Sequence, residues 1–251
     1  NSFGAISSIG NNDNFDLNIK TNNLNRVTVL AGGNVGIGTT APNNTIQVKD
    51  LIKFENSNYG TFLGYRWADN NIGTKNTFIG YQAGMSNTTG GNNTALGTNA
   101  FLLNTTGEYN TALGSSALYK NTVGVQNIAV GTEALYNNTT GIQNIAIGIN
   151  SLFYNTTGNQ NVATGTSALY SNITGYHNTV SGFGALLYNT TGSKNTALGY
   201  GVLFDLNIIA DDGSGNNTAI GYNTGRGIVT GLNNTILGAN VTGLAAGLSN
   251  N

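Results

Sequence analysis

Glycine returns every seventeen residues along most of this chain, each time closing the phrase Asn-Thr-Ala-Leu-Gly or a near variant. The positions are Gly80, Gly97, Gly114, Gly131, Gly148, Gly165, Gly182 and Gly199, then Gly221 and Gly238 after one longer step. A second set keeps the same beat from Gly73 through Gly90, Gly107 and Gly124 to Gly192, mostly closing Asn-Thr-Thr-Gly. A fixed period of this size predicts a solenoid, in which each repeat buries its apolar face only by stacking on neighbours. The fold class expected is therefore all-β, a parallel β-solenoid or β-roll of 17-residue repeats.

Composition supports that expectation and narrows function. Only 8% of residues are charged, against roughly 25% in ordinary domains, while 39% are apolar. Disorder needs the opposite balance. A net charge of −1 gives no electrostatic reason to bind nucleic acid or an anionic membrane. No apolar run approaches the ~18 residues of a membrane span. With no cysteine, disulfides and thiolate metal sites are excluded. Asn-x-Thr sequons recur in almost every repeat, and a structural role is expected for them before glycosylation.

Three regions are expected. Residues 1–58 lack the repeat and carry alternating, strand-like stretches such as Val27-Thr28-Val29-Leu30, so they read as a small N-terminal β module. Residues 59–240 form the repeat array, and residues 241–251 lose the motif, as a tail that frays or joins a further module. At about 4.8 Å per rung, the array from Gly64 to Gly238 makes a rod roughly 50 Å long.

Within one unit, the position after the first Asn is β-branched in every rung, from Thr77 to Ile128, Ile145 and Val162. The next column is mostly Ala, interrupted by Phe78 and Val180, and the one after is mostly Leu, Ile or Val. Apolar residues on both faces of a strand predict cover on both sides, one from the opposite wall and one from a second copy of the chain. Thr164 and Ser181 interrupt the second apolar column in adjacent rungs and suggest a hydrated stretch of that interface. The second half of the unit reads equally as a second strand or one helical turn. Ladders are expected at Asn93, Asn110, Asn127 and Asn144, and at Asn104, Asn121, Asn138 and Asn155. The second of these columns is expected at left-handed corners, with its amides bonded from rung to rung. Gly97, Gly114, Gly131, Gly148 and Gly165 supply positive φ at other corners.

The phrase Asn34-Val35-Gly36-Ile37-Gly38-Thr39-Thr40-Ala41-Pro42 resembles a signature of phage tail fibres and related bacterial surface fibres. The Asn-Thr-Ala-Leu-Gly array is similar to the head repeats of trimeric autotransporter adhesins. That resemblance implies a left-handed parallel β-roll, a homotrimer, and attachment to a host or surface. It implies an extracellular setting, on a virion tail or a bacterial cell surface, with a cell-surface receptor such as a glycan as partner. The 17-residue unit is longer than the usual head repeat of that group.

Catalytic constellations are sparse. His177, the single histidine, falls in the variable column of Lys75, Gln126 and Gln160, which predicts a solvent-facing residue. Glu108 and Glu133 do not recur as a pair, so no enzyme is expected and no cofactor is required. Gly36 and Gly38 precede a β-like segment, so a turn is expected there and not a phosphate cradle. The period breaks once: Gly199 to Gly221 spans 22 residues, and the insertion holds Asp205, Asp211 and Asp212. Solenoid insertions become loops that carry recognition, and clustered carboxylates with glycines offer oxygen ligands for Ca²⁺. Trp67, Tyr200 and Tyr222 are the aromatic candidates for receptor contact. The Thr columns also raise an ice-binding alternative, weakened by the change to Ile128, Ile145 and Val162. A self-assembling extracellular filament is the main competing class.

Overall fold

The computed structural model describes residues 10, 14–43, 45–48, 52–55, 59–64, 71–207 and 215–250. Among these described residues the fold is all-β, with sixteen strands in one sheet whose spatial order is the chain order. The first six are β1 (Leu17–Thr21), β2 (Leu24–Val29), β3 (Val35–Ile37), β4 (Ile46–Val48), β5 (Ile52–Glu55) and β6 (Gly60–Leu63). From β7 (Thr77–Ile79) the strands are three residues long and parallel: β8 (Thr94–Leu96), β9 (Thr111–Leu113), β10 (Ile128–Val130), β11 (Ile145–Ile147) and β12 (Val162–Thr164). The series ends with β13 (Thr179–Ser181), β14 (Thr196–Leu198), β15 (Thr218–Ile220) and β16 (Thr235–Leu237). This is a β-solenoid with 17-residue turns, as the glycine period predicts.

The β1–β3 sheet is antiparallel, and β3 to β4 is parallel. The Asn34–Pro42 phrase builds β3 and the loop that folds back on it. The Asn34 side chain donates to the Pro42 carbonyl at 3.1 Å. A Cβ on buried Gly36 would lie 2.7 Å from the Thr39 carbonyl oxygen. The phrase is thus a self-closing β-turn unit, as expected.

Only one segment of each turn is a strand; the second half is neither strand nor helix but a run of turns. Its backbone still bonds between rungs, with Leu118 N–H donating to Ala134 C=O at 3.0 Å and Thr122 N–H to Thr139 C=O at 3.1 Å. The left-handed corners fall elsewhere than expected. The Asn104 and Asn121 column is absent from the positive-φ residues, which instead include Leu118 (φ 50°), Ser116 (φ 56°) and Gln126 (φ 57°). A left-handed Leu costs roughly 1–2 kcal/mol, but full burial of its side chain is worth about 1.5–3 kcal/mol. Burial wins, and Leu118, Leu135, Leu152 and Leu169 are all completely buried.

The glycines serve two separate needs. Gly97 has φ 139°, and a Cβ there would meet the Gly114 carbonyl oxygen at 2.5 Å. Gly107 has no such φ; its Cβ would collide with the Gly124 carbonyl oxygen at 2.5 Å and with the Asn104 side chain. At the first break in the Ala column, Phe78 fills the space over Gly84, whose Cβ would overlap its ring.

Both Asn columns are fully internal. In the first, Asn110 N–H donates to Asn93 Oδ1 at 2.9 Å, and Asn110 Nδ2 donates to Gly124 C=O at 2.8 Å. In the second, Asn121 Nδ2 donates to Asn104 Oδ1 at 2.9 Å and to the same Gly124 C=O at 3.0 Å. One glycine carbonyl therefore ties the two ladders together in each rung from Gly90 to Gly192. Residues after β16 also keep winding: Gly225 N–H donates to Val241 C=O, Val229 N–H to Ala246 C=O, and Asn250 N–H to Leu232 C=O. The lost motif hides a further turn, because Leu244 and Leu248 still pack on the core.

Candidate functional site

The first candidate surface is the outer face of the sheet. Ala95, Ala112, Ala129 and Ala146 point inward and are wholly buried. Their neighbours alternate outward, so Leu96 is 48% exposed, Ile147 41% and Leu237 66%. In the single chain the strand is covered on one side only. The hydroxyl pair Thr164 and Ser181 is exposed on this same face.

The second candidate is aromatic. Tyr200 and Tyr222 lie in one column beside Phe183, in a stack with centroid distances of 5.2 and 5.3 Å and interplanar angles of 9° and 19°. All three rings are about half exposed. Their positions follow Gly182, Gly199 and Gly221, so the repeat register itself signals that Phe183 belongs with the two tyrosines. Because each ring covers its neighbour's face, the stack offers edges, two hydroxyls and only its end faces for contact. A longer stack, Tyr119–Tyr136–Phe153–Tyr170, spaces its rings 4.9 to 5.3 Å apart. Burial, then the neighbouring Tyr119 and Glu133, push the Tyr136 hydroxyl above its usual range. Burial and a hydrogen bond with Tyr154 do the same for Tyr170.

The acidic candidates separate. Asp205 accepts from Arg226 Nε at 3.2 Å and from Gly227 N–H at 3.1 Å. The Arg226 guanidinium in turn lies 4.4 Å from the Phe204 ring centroid. Asp205 is thus paired with a cation, and Arg226 was not legible as its partner because it lies one turn further along the chain. Asp211, Asp212 and Trp67 lie outside the described residues, and with them the core of the Ca²⁺ expectation. Among the described residues, no cluster of three His, Asp or Glu side chains is placed to hold a metal ion.

His177 is on the surface, its Nε2 2.6 Å from Gln160 Oε1 one rung away. Among the described residues, no helix is long and apolar enough to cross a membrane. The sequons split by column. Asn104, Asn138 and Asn155 begin Asn-Thr-Thr, yet their amides are buried and bonded inside the coil.

The fold and these surfaces define a parallel β-solenoid repeat protein. Comparison with family models, curated proteins and solved structures returns no match for this chain.

Proposed function

We propose that this chain is a structural segment of an extracellular attachment fibre, either a phage tail fibre or a bacterial surface adhesin. Three copies form the shaft and hold receptor contacts away from the particle that carries them. The observation that carries this is the unbroken sheet, sixteen strands in chain order with an outward apolar face left open in the single chain. Stacked rungs tied by two internal amide ladders favour a stiff rod over a deformable pocket. Repeated weak contacts along three chains supply avidity without any tight single site. Tyr200 and Tyr222, with Phe183, are the receptor-facing residues of choice, and a glycan suits their exposed hydroxyls and edges.

Sedimentation and negative-stain microscopy test the shaft: discrete three-chain spikes are expected. Indefinite fibres would instead favour a self-assembling filament. Binding to host cells or a glycan array tests attachment, and Tyr200→Ala with Tyr222→Ala is expected to weaken it at least tenfold. Unchanged binding removes the aromatic stack from the proposal. Thermal hysteresis checks the ice-binding alternative, which the apolar interruption at Ile128, Ile145 and Val162 disfavours.

A further inference from the structure

The N-terminal module and the solenoid share more than a sheet. Register pairing runs one column from Ile19 through Val27, Ile37 and Val48, then across β5 at Ile52 to Leu63 and Ile79. That column continues to Leu237 through every parallel strand. A second column begins Leu17–Val29–Val35–Ile46 and is taken up by Thr61 and Thr77. No position in either column carries a charge. None of the described ones is buried: Ile37 is 44% exposed, Ile46 49% and Leu96 48%. On the alternate face Thr28, Gly36, Phe62 and Phe78 are buried, while Asn18 in β1 is exposed and Gln47 in β4 half-buried. Two regions that differ in strand direction and length therefore present one continuous stripe.

We propose that copies of this chain associate through this stripe along all sixteen strands, in parallel and in register, a claim that rests on the multi-copy shaft proposed above. Size is the first argument. Sixteen strands at about 4.8 Å give a length near 75 Å, and two columns about 7 Å apart make a strip roughly 10 Å wide. The footprint is about 750 Å² per copy, close to the roughly 800 Å² per partner of stable interfaces. The solenoid strands alone fall short, at about 500 Å² by the same geometry. The module is thus part of the interface and not a separate head.

Charge is the second argument. A charged partner would find nothing to pair with on the stripe, whereas an identical uncharged face suits it. Register is the third. Thr164 and Ser181 put hydroxyls at β12 and β13, well away from the middle of the stripe. In-register parallel copies bring these hydroxyls together, where they can bond to each other or to shared water. An antiparallel copy overlapping along the full length would set Ser181 against the apolar Ile46 and Val48 of β4, leaving hydroxyls unpaired.

The test uses the full chain in analytical ultracentrifugation with single Glu substitutions. Ile37→Glu and Ile46→Glu probe the module, Leu96→Glu and Ile147→Glu the solenoid, and exposed Thr106→Glu, off the stripe, is the control. Each target stands open in the single chain, so circular dichroism and melting are expected to match the parent. Single-chain mass for both sets of stripe variants, with a multi-chain parent and control, is the expected result. If the parent is multi-chain and the solenoid variants stay so, the stripe is overturned while the multi-copy shaft stands. If only the module variants stay multi-chain, the continuity through β1–β5 is overturned. A parent that sediments as one chain at tens of micromolar overturns both the stripe and the multi-copy shaft. Register is read separately, because the chain has no cysteine. Ser181→Cys is expected to form inter-chain disulfides under mild oxidation, and Thr106→Cys is not. Failure of Ser181→Cys to cross-link in a multi-chain particle overturns the in-register alignment.

Discussion

The turns before Asn189 and those after it wind on the same backbone but fill one corner differently. Before it, Asn104, Asn121, Asn138 and Asn155 pass amide hydrogen bonds from rung to rung. After it, Leu206 and then Ile228 take the column, both completely buried. The last ladder oxygen, Asn189 Oδ1, is buried with no hydrogen-bond partner. The other ladder crosses the junction intact, with Asn217 N–H donating to Asn195 Oδ1 at 3.1 Å despite the longer step of 22 residues. A solenoid corner can thus be polar or apolar. The cost lies at the switch, where one amide loses its neighbour.

Four experiments sharpen this contrast. The largest effect is expected inside the ladder. Asn138→Leu strips Asn121 Oδ1 of its donor and Asn155 of its acceptor. At roughly 1–3 kcal/mol for each buried group left unpaired, a loss of about 3–5 kcal/mol is expected in denaturant unfolding. A loss below 1 kcal/mol would mean that the ladder is not what stabilises these rungs.

Glycines come next. Gly107→Ala drives a Cβ against backbone of the following rung, and about 3 kcal/mol of destabilisation is expected from overpacking. In the C-terminal turn, Gly243 has φ 69° with nothing within 4 Å, so Gly243→Ala is expected to cost only about 1 kcal/mol. Equal costs would erase the distinction between close approach and backbone conformation.

The junction itself gives a smaller change. Leu206→Asn supplies Asn189 Oδ1 with a donor but forfeits a buried Leu, so the opposing effects leave a net loss within about 2 kcal/mol. A cost as large as that of Asn138→Leu would show that the apolar corner is optimised on its own terms.

The smallest effect is electrostatic. Raised hydroxyls at Tyr136 and Tyr170 mean that the folded state holds their protons more tightly than the unfolded state. Their contribution is fully present below the usual tyrosine value of 10.0 and is lost as pH rises through the folded values. Melting temperature is expected to fall more steeply above pH 10 for the parent than for the Tyr136→Phe, Tyr170→Phe double variant. Parallel curves would detach the stack from the alkaline transition.

The glycine beat, the β-branched column and the small Ala column were legible from sequence because each is a local requirement repeated in every rung. Period and strand position followed from them, as did the column shared by Tyr200 and Tyr222. The left-handed corners were not legible. Propensity favours Asn and Gly there, yet burial puts Leu118 and Leu135 in that conformation and leaves the ladder asparagines for hydrogen bonding. The Asp205–Arg226 pair was also hidden, because partners 21 residues apart meet only when successive turns stack. By itself the sequence determined that the chain repeats, and with what period, since stacking energy acts on every unit alike. Only the tertiary structure decided which side of the strand is left open, how the N-terminal module joins it, and where the amide ladder stops. Those depend on register between distant strands, which no single repeat contains.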